Sequence, residues 1–310
     1  MEMNRMKNPR PDAREMPPLT PWRRLRRDIL TWPQRVTASQ RVLPNLILLG
    51  AQRAGTTSLY AHMGMHPGIC LSRTKEVHYF DNYQDQGLDW YRSNFPTKSW
   101  VERRSRNLGY DIAIGEGSPY YLFHPTVPER VHEVLPDTRL VVLLRDPIER
   151  ALSHFRHERR NGSETVSDFE TAWELETERL SGAEERLSSG DTVYDEAHNR
   201  FSYTARGDYA PQLERWLAKF DHSQLHIIRS EDLFERPREV MSDFFDFLEL
   251  PQVDLGDFPV LNATTVQASD PAEKELRKRL AAHFAPKVAQ LEKLLGRSMG
   301  WTESWTLSDD

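Results

Sequence analysis

The sequence predicts an α/β fold, a parallel β-sheet flanked by helices on both faces, and three observations carry that prediction. From residue 42 onward, short apolar runs alternate with segments of helical period. Two of the runs, residues 45–50 (NLILLG) and 139–144 (RLVVLL), have the unbroken apolar character of strands covered on both sides. The first ends in glycine immediately before a helical segment, the layout of a strand–loop–helix unit.

Each element follows in order. Residues 45–50 form the first strand, and a helix runs on through Leu59, Tyr60 and Met63. A weaker strand at 113–116 precedes a helix over 125–134. The strand at 139–144 leads into a helix over 147–160. Asp146 stands at its N-cap, Pro147 at its first position, and Ile148, Ala151, Leu152 and Phe155 form its apolar stripe. The acidic stretch 163–200 reads as a helix followed by an exposed loop. Tyr209, Leu213, Trp216, Leu217 and Phe220 form another helical stripe, 225–228 a fourth strand, and 239–248 and 273–295 the closing helices, the last bent at Pro286.

Composition narrows the function classes. With 38% apolar residues, 8 Trp and 13 Phe in 310 residues, the chain can bury a sizeable core, which excludes a disordered protein. One cysteine, Cys70, excludes a disulfide-stapled domain, and no Cys/His spacing suits zinc. No run approaches the roughly 20 apolar residues that span a bilayer, and no signal peptide opens the chain. A cytoplasmic, soluble protein is the expectation. The net charge of −6 is unevenly spread: residues 1–41 hold ten basic and four acidic side chains and six of the 20 prolines. They read as a basic, poorly ordered arm, helical near residues 22–30, ahead of a domain at 42–310 with net charge −12. Such an arm could touch a nucleic acid, an anionic lipid surface or an acidic acceptor, or have no partner. The acidic domain argues against nucleic acid as the primary partner, leaving a weak contact with an anionic surface through the arm.

The sharpest motif follows the first strand. Gly50 and Gly55 bracket Ala51, Gln52, Arg53 and Ala54, and Thr56, Thr57 and Ser58 open the helix. Two glycines five apart let backbone N–H groups converge on an anion, and the helix start adds its positive end. The unit is P-loop-like, but the nucleotide-triphosphatase pattern needs Lys where Thr56 stands. The cation sits inside the loop instead, at Arg53. A second anion site is read at the carboxyl end of the 139–144 strand. Arg145 and, two helical turns on, Ser153 could hold another phosphate; Ser153 shares a polar side with Glu149, Arg156 and Arg160. Arg145 could equally pair with Asp146, and Ser153 lie on an ordinary exposed face.

These residues resemble the sulfotransferases that use 3′-phosphoadenosine-5′-phosphosulfate, closest to the heparan-sulfate, glucosaminyl 3-O-sulfotransferase-like type. Beyond the two anion motifs, the resemblance rests on KEVHYFD at 75–81, GLDWY at 87–91, VPERV at 127–131, RGDY at 206–209 and LGRSMGW at 295–301. It implies that Arg53, Ala54, Gly55, Thr56, Thr57 and Ser58 cradle the 5′-phosphosulfate, that Arg145 and Ser153 take the 3′-phosphate, and that no metal is needed. It implies Glu76 as the general base and Arg53 as the group that follows charge on the leaving oxygen. His78, with Lys75, would face the acceptor, and His78 could orient it or substitute as base. The expected acceptor is a small molecule or glycan, most simply a carbohydrate or glycolipid.

Three departures from the family pattern stand out. Arg53 replaces the usual Lys. Glu116, Gly117, Ser118 and Pro119 lack the Lys that lines the acceptor site in relatives. Residues 259–272 contain no cysteine and only acidic charge, where vertebrate members close a basic loop with a disulfide. These features, with the missing anchor, suit a soluble bacterial-like member. A nucleotide kinase or triphosphatase, and a catalytically silent nucleotide-binding module, are the alternatives. The tyrosines and tryptophan Tyr79, Tyr83, Trp90, Tyr120 and Tyr121 could stack on sugar rings but read first as core.

Overall fold

In the computed structural model, residues 34–256 and 271–307 are described. Five parallel strands, β1 (Leu46–Gly50), β2 (Ile69–Leu71), β3 (Ala113–Gly117), β4 (Arg139–Leu144) and β5 (Leu225–Arg229), lie in the order β2-β3-β1-β4-β5. Leu46 sits opposite Gly115 on one side and Arg139 on the other. All five residues of β1 are buried, as the middle strand of a sheet flanked by helices must be. β1 lies between β3 and β4, where the strand order changes direction, so the crevice at their carboxyl ends is the place such sheets keep for ligands.

The helices are α1 (Thr56–Met63), α2 (Leu88–Arg92), α3 (Lys98–Leu108), α4 (Val127–Val134), α5 (Pro147–Asn161), α6 (Phe169–Arg179), α7 (Ala183–Ser189), α8 (Glu196–Arg200), α9 (Tyr209–Leu217), α10 (Ser230–Glu235), α11 (Pro237–Phe247), α12 (Pro271–Leu295) and α13 (Trp301–Leu307). Asp146 caps α5 by accepting from the N–H groups of Ile148 and Glu149, with Pro147 at the first position. The stripe of α5 meets Phe169, Tyr203, Leu280 and Phe284 in a second core beside the one around the sheet. Tyr79, Trp90, Tyr120 and Tyr121 are buried, and Tyr79 stacks on Tyr91.

Two sequence expectations are corrected. Strand β2 was not foreseen: three residues are too few to show a period. The stretch 163–200 is not a helix and loop but three helices, α6 to α8, anchored by buried polar groups. The Glu176 carboxylate accepts from the N–H groups of Thr204 and Ala205 and from the Thr204 hydroxyl, and Arg179 pairs with Glu164. Hydrophobic periodicity cannot register a segment held by satisfied polar side chains. Of the basic arm, residues 1–33, including the helix read at 22–30, lie outside the described residues. Residues 34–41 rest on the domain, where Ala38 is buried and Arg41 bridges to Thr97. Most of the stretch 259–272 also lies outside the described residues. On the outer border of the sheet, the Arg297 guanidinium donates to the Ile227 carbonyl of β5.

Candidate active site

The β1–α1 junction is shaped by residues that tolerate left-handed backbone. Gly55, at φ 95°, precedes α1; a Cβ there would lie 2.9 Å from Phe234 Cζ. Arg53 is also left-handed, at φ 68°, which is uncommon outside glycine. The loop is tied from behind: the Ser230 hydroxyl donates to the Ala54 carbonyl at 2.6 Å, and Thr56 and Ser58 are buried. The first-turn N–H groups of α1 have no i−4 carbonyl, so Thr56 and Thr57 offer donors at the positive helix end.

The two anion motifs adjoin. Arg53 Nε donates to Ser153 Oγ at 3.2 Å, and Arg145 Nη1 donates to the Arg53 carbonyl at 3.2 Å. Ser153 is therefore buried against the loop rather than on an ordinary exposed face. Arg145 lies 3.6 Å from Glu149, while Asp146 takes a hydrogen bond from Trp305 Nε1 instead of pairing with Arg145. Behind the loop sit two buried cations to which the sequence assigned no role, although Arg206 opens the RGDY motif. Arg150 Nη1 donates to the Gln52 carbonyl at 3.4 Å and Nη2 to the Tyr203 carbonyl. Arg206 donates to Gln52 Oε1 and lies over the rings of Tyr120 and Phe123. Burial, and then the neighbouring charge of Arg206, pull the Arg150 guanidinium down to about 10.

Across the crevice, the chain after β2 carries Lys75, Glu76, His78 and Asp81. Glu76 and His78 are both left-handed, at φ 61° and 55°. Two bonds from the end of β3 hold them there: the Glu76 N–H donates to the Gly117 carbonyl and the His78 N–H to Ser118 Oγ, both at 3.0 Å. His78 Nδ1 lies 2.7 Å from Asp81 Oδ2, and its Nε2 lies 3.7 Å from Glu76 Oε2. Lys75 Nζ reaches Glu76 Oε1 at 3.2 Å and Thr57 Oγ1 at 2.7 Å, so one ammonium joins this segment to the loop after β1. Burial opposes charge on Glu76, but His78 and Lys75 outweigh it and hold the carboxyl at about 2. Burial likewise opposes charge on His78, yet Asp81 and then Glu76 prevail and raise it well above the usual histidine range.

Three more groups were missed by reading the sequence. Asp81 is buried and stands three residues past His78, a spacing that could have flagged it. Glu116, fully buried, accepts from the hydroxyls of Tyr91 (2.7 Å), Tyr121 (3.2 Å) and Ser118 (3.0 Å); burial pushes its carboxyl up to about 7. His157, one turn beyond Ser153 on α5, is pushed down to about 4 by burial and then by the charges of Arg53 and Arg160, while Glu76 acts the other way. A neutral imidazole thus shares the electrostatic surroundings of Arg53 and Glu76. The chemistry available is a cationic cradle facing a carboxylate base.

Comparison with known proteins fits this geometry. A family model described as Sulfotransferase domain matches residues 43–262. The chain is 28% identical to the membrane-associated sulfotransferase kil1 of Dictyostelium discoideum, over 84% of this chain and 66% of that protein. It is 32% identical to the bifunctional heparan sulfate N-deacetylase/N-sulfotransferase of Drosophila melanogaster, over 82% of this chain but 25% of that protein, so it spans only part of the length of these relatives. Among solved structures, a sulfotransferase from Alicyclobacillus acidocaldarius is 30% identical with a TM-score of 0.58, covering 84% of this chain and 99% of that one. The strand–loop–helix cradle, the sheet that carries it and a family match over most of the chain agree: this protein belongs to the sulfotransferase family and is a transferase enzyme.

Proposed function

We propose that the protein moves a sulfuryl group from 3′-phosphoadenosine-5′-phosphosulfate to a hydroxyl, or an amine, of a carbohydrate or glycolipid acceptor. The observation that carries this reading is the Lys75 bridge. It sets the carboxylate of Glu76 directly across from Thr57 of the cationic loop, so a base and an anion cradle face one gap. In that reading Arg53, Gly55, Thr56, Thr57 and Ser58 hold the 5′-phosphosulfate, with Ala54 shaping the turn. Arg145 and Ser153 take the 3′-phosphate; their contacts to Arg53 make the two subsites one continuous cradle. The heparan-sulfate relatives support a sugar acceptor by analogy.

The chemistry is an in-line displacement. Glu76 takes the proton from the acceptor oxygen as that oxygen bonds to sulfur. The bond from sulfur to the bridging oxygen breaks, leaving adenosine 3′,5′-bisphosphate and a sulfated acceptor. Arg53 and the first-turn N–H groups of α1 face the charge that grows on the leaving phosphate. As a planar, always-charged fork, Arg53 supplies electrostatic stabilisation without giving up a proton. His78, held charged by Asp81, supports the ionised form of Glu76 and has no lone pair to spare as a substitute base; its part is to orient the acceptor beside Lys75.

Incubation with sulfur-labelled donor and a panel of sugars, glycolipids, phenols and amines tests the reading. The expected result is label on at least one acceptor, and a rise in melting temperature with adenosine 3′,5′-bisphosphate. No labelled acceptor together with no thermal response would sink the donor assignment.

A further inference from the structure

Charge in this chain is sorted along the sequence. Residues 1–110 contain eighteen basic and nine acidic side chains, whereas residues 111–310 contain 23 basic and 38 acidic. The fold gathers part of the positive third on one surface around α3. No residue of α3 is buried, and Lys98, Arg103 and Arg106 are exposed on it beside a single acidic residue, Glu102. Its N-cap, Thr97, bridges to Arg41. Arg92 Nη1 donates to the Arg41 carbonyl at 3.4 Å, and exposed Arg73 is close enough to Arg41 to act on its charge. Arg104, half-buried, donates to the Pro67 carbonyl at 2.9 Å. On the same helix Trp100 is 36% exposed, one of four large apolar side chains left open among the described residues.

We propose that this surface, α3 with Arg41, Arg73 and Arg92 beside it, docks the protein on an anionic lipid bilayer, with Trp100 at the headgroup level. Charge complementarity names an anionic partner, and two features favour a bilayer over a soluble polyanion. Tryptophan next to Lys and Arg on an exposed amphipathic helix is the composition of interfacial anchors. The sequence just ahead of the described residues has a like composition: Trp22, Leu25, Ile29 and Leu30 alternate with Arg23, Arg24, Arg26 and Arg27.

Co-sedimentation of the full chain with vesicles tests this without turnover, so its failure is separate from failure of the proposed reaction. Phosphatidylcholine vesicles and vesicles of phosphatidylcholine and phosphatidylglycerol in equal parts are compared. Capture by the anionic vesicles alone is expected, lost in about 1 M salt, where the screening length falls to about 3 Å. A double variant, Arg103→Glu with Arg106→Glu, should bind those vesicles at least about tenfold more weakly. It should keep its melting temperature and its thermal response to adenosine 3′,5′-bisphosphate. Trp100→Ala should weaken capture several-fold at unchanged salt dependence. Equal capture by both vesicle types, or undiminished capture of the double variant, overturns the assignment. Binding to soluble heparin with no vesicle capture overturns it in favour of a polyanion partner.

Discussion

The two sides of the cleft, one proposed to hold the donor and the other the acceptor, are built on different plans. On the donor side the shape is local. Gly50, Gly55 and the first turn of α1 make the cradle from consecutive residues, and buried Arg150 and Arg206 hold Gln52 from behind. On the acceptor side the side chains pair locally, as His78 does with Asp81, but the backbone is held from afar. Glu76 and His78 keep left-handed backbones because Gly117 and Ser118, some forty residues later, bind their N–H groups. Backbone held in sparsely populated regions costs about 1–3 kcal/mol per residue and persists only where surroundings impose it. Of the four non-glycine residues at positive φ among the described residues, Arg53, Glu76 and His78 lie at the gap and the fourth, Glu249, follows α11, so most of this strain sits at the cleft.

Substitutions on the two sides should therefore fail in different ways. Glu76→Gln should have the largest effect, lowering kcat by about 10²–10⁴-fold while thermal stabilisation by adenosine 3′,5′-bisphosphate survives. A variant that turns over normally would remove Glu76 from the chemistry. Arg53→Ala should lower kcat/KM by about 10²–10³-fold. Unlike Glu76→Gln, it should also blunt the nucleotide's effect on melting temperature, which calorimetry reads directly; an unaltered response would break the contrast between the two sides.

Glu116→Gln should act through pH. Glu116 ionises near 7 in the folded protein and at 4.5 ordinarily, so the folded state holds the proton more tightly and stability falls as pH rises through that window. At about 1.4 kcal/mol per unit, the loss is about 3 kcal/mol, and the variant should lack it. Melting curves of both proteins from pH 4.5 to 7.5 should converge at the alkaline end relative to a wild-type advantage at the acid end; parallel curves would contradict it. The smallest effect expected is Ser118→Ala. It removes the acceptor of the His78 N–H and one donor to Glu116, costing about 1 kcal/mol of stability. A several-fold drop in kcat with unchanged nucleotide response would mark it as positioning the acceptor side alone.

That asymmetry also explains what could be read from the sequence. The loop after β1, the Asp146 cap and the α5 stripe were legible because each is fixed by neighbours within a few residues. Glu76, Lys75 and His78 were singled out through family resemblance, since nothing in their immediate sequence distinguishes them from a surface Glu and its partners. The clamp by Gly117 and Ser118, the carboxylate of Glu116 and the burial of Ser153 against Arg53 arise from strand order. So does the pairing of Arg150 and Arg206 behind Gln52. Of helices α6 to α8 the sequence showed one helix and hid the rest, because Glu176, His198 and Arg200 are polar and buried and break up the apolar spacing of their segment.

The contact between Arg297 and the Ile227 carbonyl has a consequence for how copies of this chain meet. A sheet ending in open carbonyl and N–H groups invites a neighbour to add a strand and start a fibre. At one margin a guanidinium already occupies a β5 carbonyl. At the other, β2 offers only three residues, too short a ledge for a foreign strand to grip. With one β5 carbonyl taken and β2 so short, strand addition at either margin should be less favourable than at a long open edge.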